Sequence, residues 1–297
     1  MRWRRSEGGD GGVEDLRGSG GGGGLRGPAA IGGGLGGLGL VGVIIAIVVV
    51  FLGGGGGGFS PDAGLDGLGS TPAASGQGID AASPDSDNTK AFVVFVVNDV
   101  QNSWRDQFQR AGETYPPTTL RLFSGRIQTG CGAASAASGP FYCPADRRVY
   151  LDMAFFRELS TRFGAPGDFA QAYVIAHEFG HHVQNVLGIL PQVTREMQSN
   201  PAQANALSVK LELQADCLAG VWAHSAYDRD LLEDGDLEEG LAAATGVGDD
   251  TIQRQAGGYV DPDSFTHGTA DQRRRWFLAG FQGGEVAACD TFRAQSL

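Results

Sequence analysis

The chain has 297 residues, enough for one large domain or two small ones, and a net charge of −12. That charge argues against nucleic acid as a partner. Glycine is over-represented at 49 residues, much of it in the first 60 positions, which marks low complexity there rather than fold.

Residues 1–30 carry Arg2, Arg4, Arg5, Arg17 and Arg26 among glycines and read as a disordered segment. A charge-free run follows, and 31–52 reads as a transmembrane helix of about the 20 residues a bilayer requires. The charged segment before it is too long for a signal peptide, and no small-x-small cleavage site follows Leu52. The arginines precede the span, whereas Asp62, Asp66, Asp80, Asp85 and Asp87 follow it. That asymmetry predicts a single-pass cell-membrane protein with a cytoplasmic N-terminus and an extracytoplasmic domain. Residues 53–88 read as a flexible Gly/Ser/Pro/Asp linker, and 89–297 as the folded domain.

The domain opens on Ala91–Val97, a short β-branched run that reads as a buried strand, followed by a helix from Val100 to Gly112. Thr118–Phe123 and Arg148–Asp152 read as further strands, with a loop over Gly130–Pro144 between them. Met153–Phe163 reads as a helix ended by Gly164. Asp168 is a candidate N-cap for the next helix, which Gly188 ends. Pro191–Asn200 reads as a connection, and Asn200-Pro201 starts a helix running to about Tyr227. Two weaker helices follow near 230–244 and 249–256. A last one opens at the capping-box spacing Thr269-Ala-Asp-Gln272 and runs to Gly283. Four cysteines, Cys131, Cys143, Cys217 and Cys289, allow three pairings. The short Gly/Ala/Ser loop favours Cys131–Cys143, which leaves Cys217–Cys289 to tie down the C-terminus.

The chemistry concentrates in Ala176-His177-Glu178-Phe179-Gly180-His181-His182, an H-E-x-x-H pattern. Residues i and i+4 share one helix face, so His177 and His181 can reach one metal ion, with Glu178 beside it as general base. Tyr173–Ala176 before the motif and Val183, Val186 and Leu187 after it are mostly apolar, so the helix is expected to be central. His182 is turned about 100° from His181 and is not expected to ligate. In Leu211-Glu212-Leu213-Gln214-Ala215-Asp216-Cys217 two acids recur at i and i+4 among apolar neighbours. Buried acids require partners. Glu212 is assigned as third zinc ligand and Asp216 as the acceptor for a ligand imidazole N–H, expected from His177. The exchange of those two roles stays open.

Cys131-Gly132, Gly139-Pro-Phe-Tyr-Cys143-Pro144, Val149-Tyr-Leu-Asp152, His177–Gln184, Glu212–Cys217 and Phe265-Thr-His-Gly268 together resemble the bacterial neutral zinc metallopeptidase family, within a gluzincin-like pattern. The resemblance covers roughly 90–297. It implies one Zn²⁺, peptidase activity and an α+β fold, with a small sheet packed on a central metal-binding helix.

An oxyanion donor is still required beside the metal. His267, in the turn-rich loop Asp261–Gly268, is the candidate; an exposed loop histidine is the equal alternative. His224 and Tyr227 are weaker candidates, and Arg273 and Arg274 read as solvated, with pairing to an acid or a substrate carboxylate as the alternative. The strand at 148–152 is a candidate edge for binding extended peptide. The resulting expectation is a membrane-anchored zinc endopeptidase with a peptide or protein substrate. A non-catalytic, zinc-stabilised surface module is the alternative.

Overall fold

Phe92, Val93, Val96, Val97 and Val100 are all fully buried and recur at steps of one and three, the spacing of one helical face. They lie on helix α1, Asp87–Arg110, and not on a strand at 91–97. A short apolar run does not by itself separate a buried strand from a buried helix, and here tertiary packing decides. Buried Asp99 on the same helix accepts from Trp222 Nε1 at 2.8 Å and pairs with Arg229, so α1 is pinned to a later helix by its polar residues too. The structure, a computed structural model, describes residues 1–5, 10–17 and 87–297.

The sheet has four strands in the order β1, β2, β6, β5. Strands β1 (Val13–Asp15), β2 (Thr119–Phe123) and β6 (Arg148–Asp152) are parallel neighbours. Strand β5 (Phe141–Cys143) runs antiparallel to β6 and closes one edge. Strand β6 is thus paired on both sides, so among the described residues the edges of this sheet are β1 and β5, and not 148–152. Strands β3 (Arg126–Thr129) and β4 (Gly132–Ser135) form a separate hairpin. The segment 130–144, expected as a loop, therefore carries β4 and β5. Its Cys131 and Cys143 form one disulfide and Cys217 and Cys289 the other, with Cα separations of 5.8 and 5.4 Å, as the favoured pairing had it.

Helices follow: α2 (Ala154–Thr161), α3 (Asp168–Val186), α4 (Ile189–Ser199), α5 (Ala204–Asp228), α6 (Asp236–Gly246), α7 (Asp249–Gly257) and α8 (Ala270–Gly283). Helix α4 replaces the expected connection at 191–200; Pro191 sits in its first turn, where no intrahelical N–H is required. Thr269 and Gln272 form the expected capping box on α8. Asp168 opens α3 without capping it. Helix α3 is the central element, buried almost throughout and packed against α5, α6 and α1. Glycines let the helices close up. A Cβ at Gly180 of α3 would stand 3.0 Å from the Ala215 carbonyl oxygen of α5, and one at Gly280 of α8 only 1.9 Å from that of Cys217.

The expected disorder at 1–30 does not hold for residues 1–5 and 10–17. Val13, Glu14 and Asp15 pair with Leu120, Arg121 and Leu122. Trp3 packs edge-on against Phe92, with ring centroids 5.5 Å apart. The Met1 amine donates to Asp168 Oδ1 at 2.7 Å and to Asp236 Oδ1 at 3.2 Å. These residues and 87–297 form one folded body. The expected span at 31–52 and almost all of the linker at 53–88 lie outside the described residues. No helix among the described residues is long and apolar enough to cross a membrane.

Candidate metal centre

His177 and His181 stand one turn apart on α3, and Glu212 reaches them from α5 across the contact that Gly180 permits. Nε2 of His177 lies 3.2 Å from Oε2 of Glu212, and Nε2 of His181 lies 3.4 Å from Oε1. Donors placed 2.0–2.1 Å from a tetrahedral ion are about 3.3–3.4 Å apart, so this spacing suits one ion. One ligand atom from each of the three residues lies within 4.8 Å of the others. Burial opposes the charge on Glu212, but the imidazoles of His181 and His177 hold its carboxyl well below the usual range.

Asp216 is fully buried one turn beyond Glu212. Its Oδ1 is 2.8 Å from Nδ1 of His177 and accepts from Tyr173 Oη and Arg273 Nη2. Its Oδ2 accepts from Arg273 Nε at 2.8 Å. This is the expected Asp–His contact, with a guanidinium and a phenol behind it. Arg273, expected to be solvated, is 3 % exposed, whereas Arg274 lies on the surface as expected. Burial alone would lower the His177 pKa; the Asp216 and Glu212 carboxylates outweigh it and raise the pKa to about 10 in the metal-free chain.

Glu178 points into the same cavity and is 5 % exposed. Burial pushes its carboxyl up, against the pull of His177 and His181. His267 is 8 % exposed and lines this cavity too, so it is not a solvated loop residue. Asp249 holds it there. Oδ1 lies 3.1 Å from His267 Nδ1, and Oδ2 accepts the backbone N–H groups of Thr266, His267 and Gly268 at 2.7, 2.7 and 3.0 Å. His182 faces away from the metal. It bridges Tyr142 Oη and the Pro116 carbonyl, at 3.1 and 2.8 Å. His224 caps a contact to the Phe281 carbonyl, and Tyr227 is largely exposed; neither lines the cavity.

Tyr173, Gln184 and Asp249 were not read as site residues from the sequence, and the pairing of Arg273 with an acid was there only the alternative to a solvated surface. Gln184 alone carried a signal, since i+3 from His181 puts it on the same face.

The family model for putative neutral zinc metallopeptidase matches residues 1–292. The chain belongs to that family. Uncharacterized protein YpfJ of Escherichia coli (strain K12) is 46 % identical over 295 residues, covering 98 % of this chain and 99 % of its own length. Uncharacterized protein Rv2575 of Mycobacterium tuberculosis (strain ATCC 25618 / H37Rv) is 46 % identical over 216 residues, covering 69 % of this chain and 71 % of its own. No solved structure matches the chain. As in its zinc metallopeptidase family, the cofactor is one zinc ion, and the His-His-Glu group has the donor types and spacing to hold it.

Proposed function

We propose that this zinc metallopeptidase is an endopeptidase of gluzincin type, with zinc held by His177, His181 and Glu212. Zinc at this position would supply Lewis acidity toward a peptide carbonyl and toward water. The observation that carries the reading is the convergence of Glu178 and His267 on the cavity that the three ligands share. Glu178 takes the proton of the attacking water and passes it to the leaving amine. His267, fixed by Asp249, donates from Nε2 to the oxyanion that develops on the substrate. Asp216 accepts from Nδ1 of His177 and so keeps that ring's Nε2 toward the metal.

The substrate class follows from the walls of the cavity. Gly139, Pro140, Phe141 and Tyr142, in and before the edge strand β5, form one wall. An extended peptide can add to that edge by main-chain hydrogen bonds. Phe155, Phe163, Val174, Val247 and Ile252 form an apolar wall suited to a large apolar side chain near the cut bond.

Two disulfides support an address outside the cytoplasm, where such bonds persist. Residues 1–5 and 10–17 then share the compartment of the domain they pack on. A membrane contact by the apolar run at 31–52 would begin and end on that side, in place of the single crossing the arginine asymmetry predicts. Thiol labelling of intact cells at Ser199→Cys and Arg4→Cys checks this: labelling of both from outside supports it, and protection of position 4 alone restores the single crossing.

Glu178→Gln is the test of the chemistry. It should keep one zinc per chain and lose cleavage of a broad peptide library, with the wild-type activity sensitive to a chelator. Full activity in the variant removes Glu178 from the mechanism. A zinc-loaded wild type that cuts nothing in the library would instead favour a non-catalytic module.

A further inference from the structure

The two zinc-binding imidazoles are supported by different chemistry, and the support of His181 reaches the C-terminal disulfide. Nδ1 of His181 lies 2.8 Å from Oε1 of Gln184, whose side chain is completely buried. Gln184 Nε2 donates to the Leu211 carbonyl at 2.7 Å and to Oε1 of Gln214 at 3.1 Å. Gln214 Nε2 donates in turn to the Cys289 carbonyl at 2.9 Å. The two carbonyls can only accept, so they fix which way both amides face. Turning Gln184 over would set its oxygen 2.7 Å from the Leu211 oxygen and 3.1 Å from that of Gln214, acceptor against acceptor. Oε1 of Gln184 therefore accepts, Nδ1 of His181 carries the proton, and Nε2 keeps its lone pair for a metal.

We propose that Gln184 is the positioning residue of His181, setting its tautomer and its spacing from Glu212 through an amide relay anchored on Cys289. This rests on the reading of His181 as a zinc ligand. The relay suits the role because it touches both ligand helices. Leu211, the first anchor, is the residue next to Glu212. Cys289, the second, is bonded to Cys217 on α5, and Thr291 beside it donates to the Lys210 carbonyl at 2.7 Å. The C-terminal turn thus clamps the helix carrying the third ligand at the level of the metal. Each amide accepts through its oxygen and donates through its nitrogen, and Gln184 Nε2 donates to both Leu211 and Gln214, so displacing either end is felt at the imidazole.

Two measurements test it. The first uses the unaltered, zinc-free protein. Nitrogen-15 shifts of the His181 ring should show the proton on Nδ1; a proton on Nε2 overturns the proposal. The second uses Gln184→Met and Gln214→Met, read by zinc competition with a chelator and by melting of the zinc-free chain. Gln184→Met should weaken zinc binding by about 10- to 100-fold, the usual cost of losing a partner behind a ligand. Gln214→Met, which touches no ligand, should weaken it in the same direction and by less, and the double variant by less than the product of the two. Unchanged zinc affinity in Gln184→Met overturns the proposal while leaving zinc binding at the centre intact. A wild type that binds no zinc would instead overturn the underlying assignment of the ligands. If Gln184→Met does not fold, the tautomer measurement decides alone.

Discussion

His177 and His181 are one helical turn apart, yet their surroundings differ in kind. Behind His177 stands an ionic network: the Asp216 carboxylate, the Arg273 guanidinium and the Tyr173 phenol. Behind His181 stand two neutral amides ending on a backbone carbonyl. Both arrangements accept from Nδ1 and leave Nε2 toward the metal, but only the first places a charged acceptor, the Asp216 carboxylate, against the ring. A charged partner strengthens the imidazole as a base and couples it to protons; a neutral one sets geometry without that coupling. The centre combines the two, so its metal affinity and its proton chemistry can be altered separately.

The largest way to break the comparison is to remove the charge at its middle. Asp216→Ala leaves Arg273 buried without its counter-ion, and breaking such a pair typically costs about 3–5 kcal/mol. Denaturant unfolding of the zinc-free protein should show a loss of that order, together with loss of tight zinc binding. Asp216→Leu combined with Arg273→Met should recover most of the stability and none of the zinc affinity. A single Asp216→Ala variant as stable as wild type would mean that water reaches Arg273 and that the network is not sealed. The neutral relay offers no change of this size, because an amide left unpaired costs about 1–3 kcal/mol.

The same contrast explains what could be read before the fold was seen. His177, His181, Glu212 and Asp216 were legible because each pair is separated by one turn of one helix, and helical spacing is local. Their burial followed from the apolar residues around them. An acid partner for Arg273 was an alternative in the sequence, but its identity was not legible: Arg273 joins Asp216 across 57 positions, and a buried arginine looks like its solvated neighbour Arg274 until the helices are packed. Asp249 reaches His267 across a loop whose course no local pattern sets. The run at 91–97 misled for a related reason, since its β-branched residues favour a strand while contacts with distant helices make it part of α1. The arginines of the first 17 residues read as a solvated tail. Arg17 in fact holds Asp15 at 2.7 Å on strand β1, and the pattern of a three-residue edge strand is too short to see.

A smaller effect sharpens the comparison through pH. In the zinc-free chain His177 keeps its proton up to about 10 because Asp216 and Glu212 outweigh burial. Zinc requires that nitrogen unprotonated, so binding releases the proton. The sign follows directly: below about 10 the proton competes, and zinc affinity rises with pH, by about tenfold per unit for one proton displaced. Competition titrations between pH 7 and 9 should show that slope in wild type and in Gln184→Met alike. Asp216→Asn removes the larger of the two carboxylate contributions that oppose burial and leaves Glu212, so the His177 pKa should fall and the slope flatten over this range. An equal slope in Asp216→Asn would assign the released proton to another group.

The smallest effect comes from an acid paired with an arginine on the outside of the molecule. Asp15 accepts from Arg17, and that hydrogen bond, opposed in part by burial, holds its pKa at about 2. A carboxyl depressed on folding adds stability above its unfolded pKa of roughly 3.9, and that contribution is lost as pH falls toward about 2. Asp15 is still partly exposed to water, so the pair is expected to give less than about 1 kcal/mol. Asp15→Asn in the full chain should therefore lower the melting temperature slightly at pH 7 and converge on wild type as the pH falls to about 2. Zinc affinity should not move. Asp216 and Asp15 would then differ severalfold in worth although both face a guanidinium, because only one of the two pairs is removed from water. A loss at Asp15 matching that at Asp216 would show that β1 stabilises the whole body, and that exclusion of water does not account for the difference.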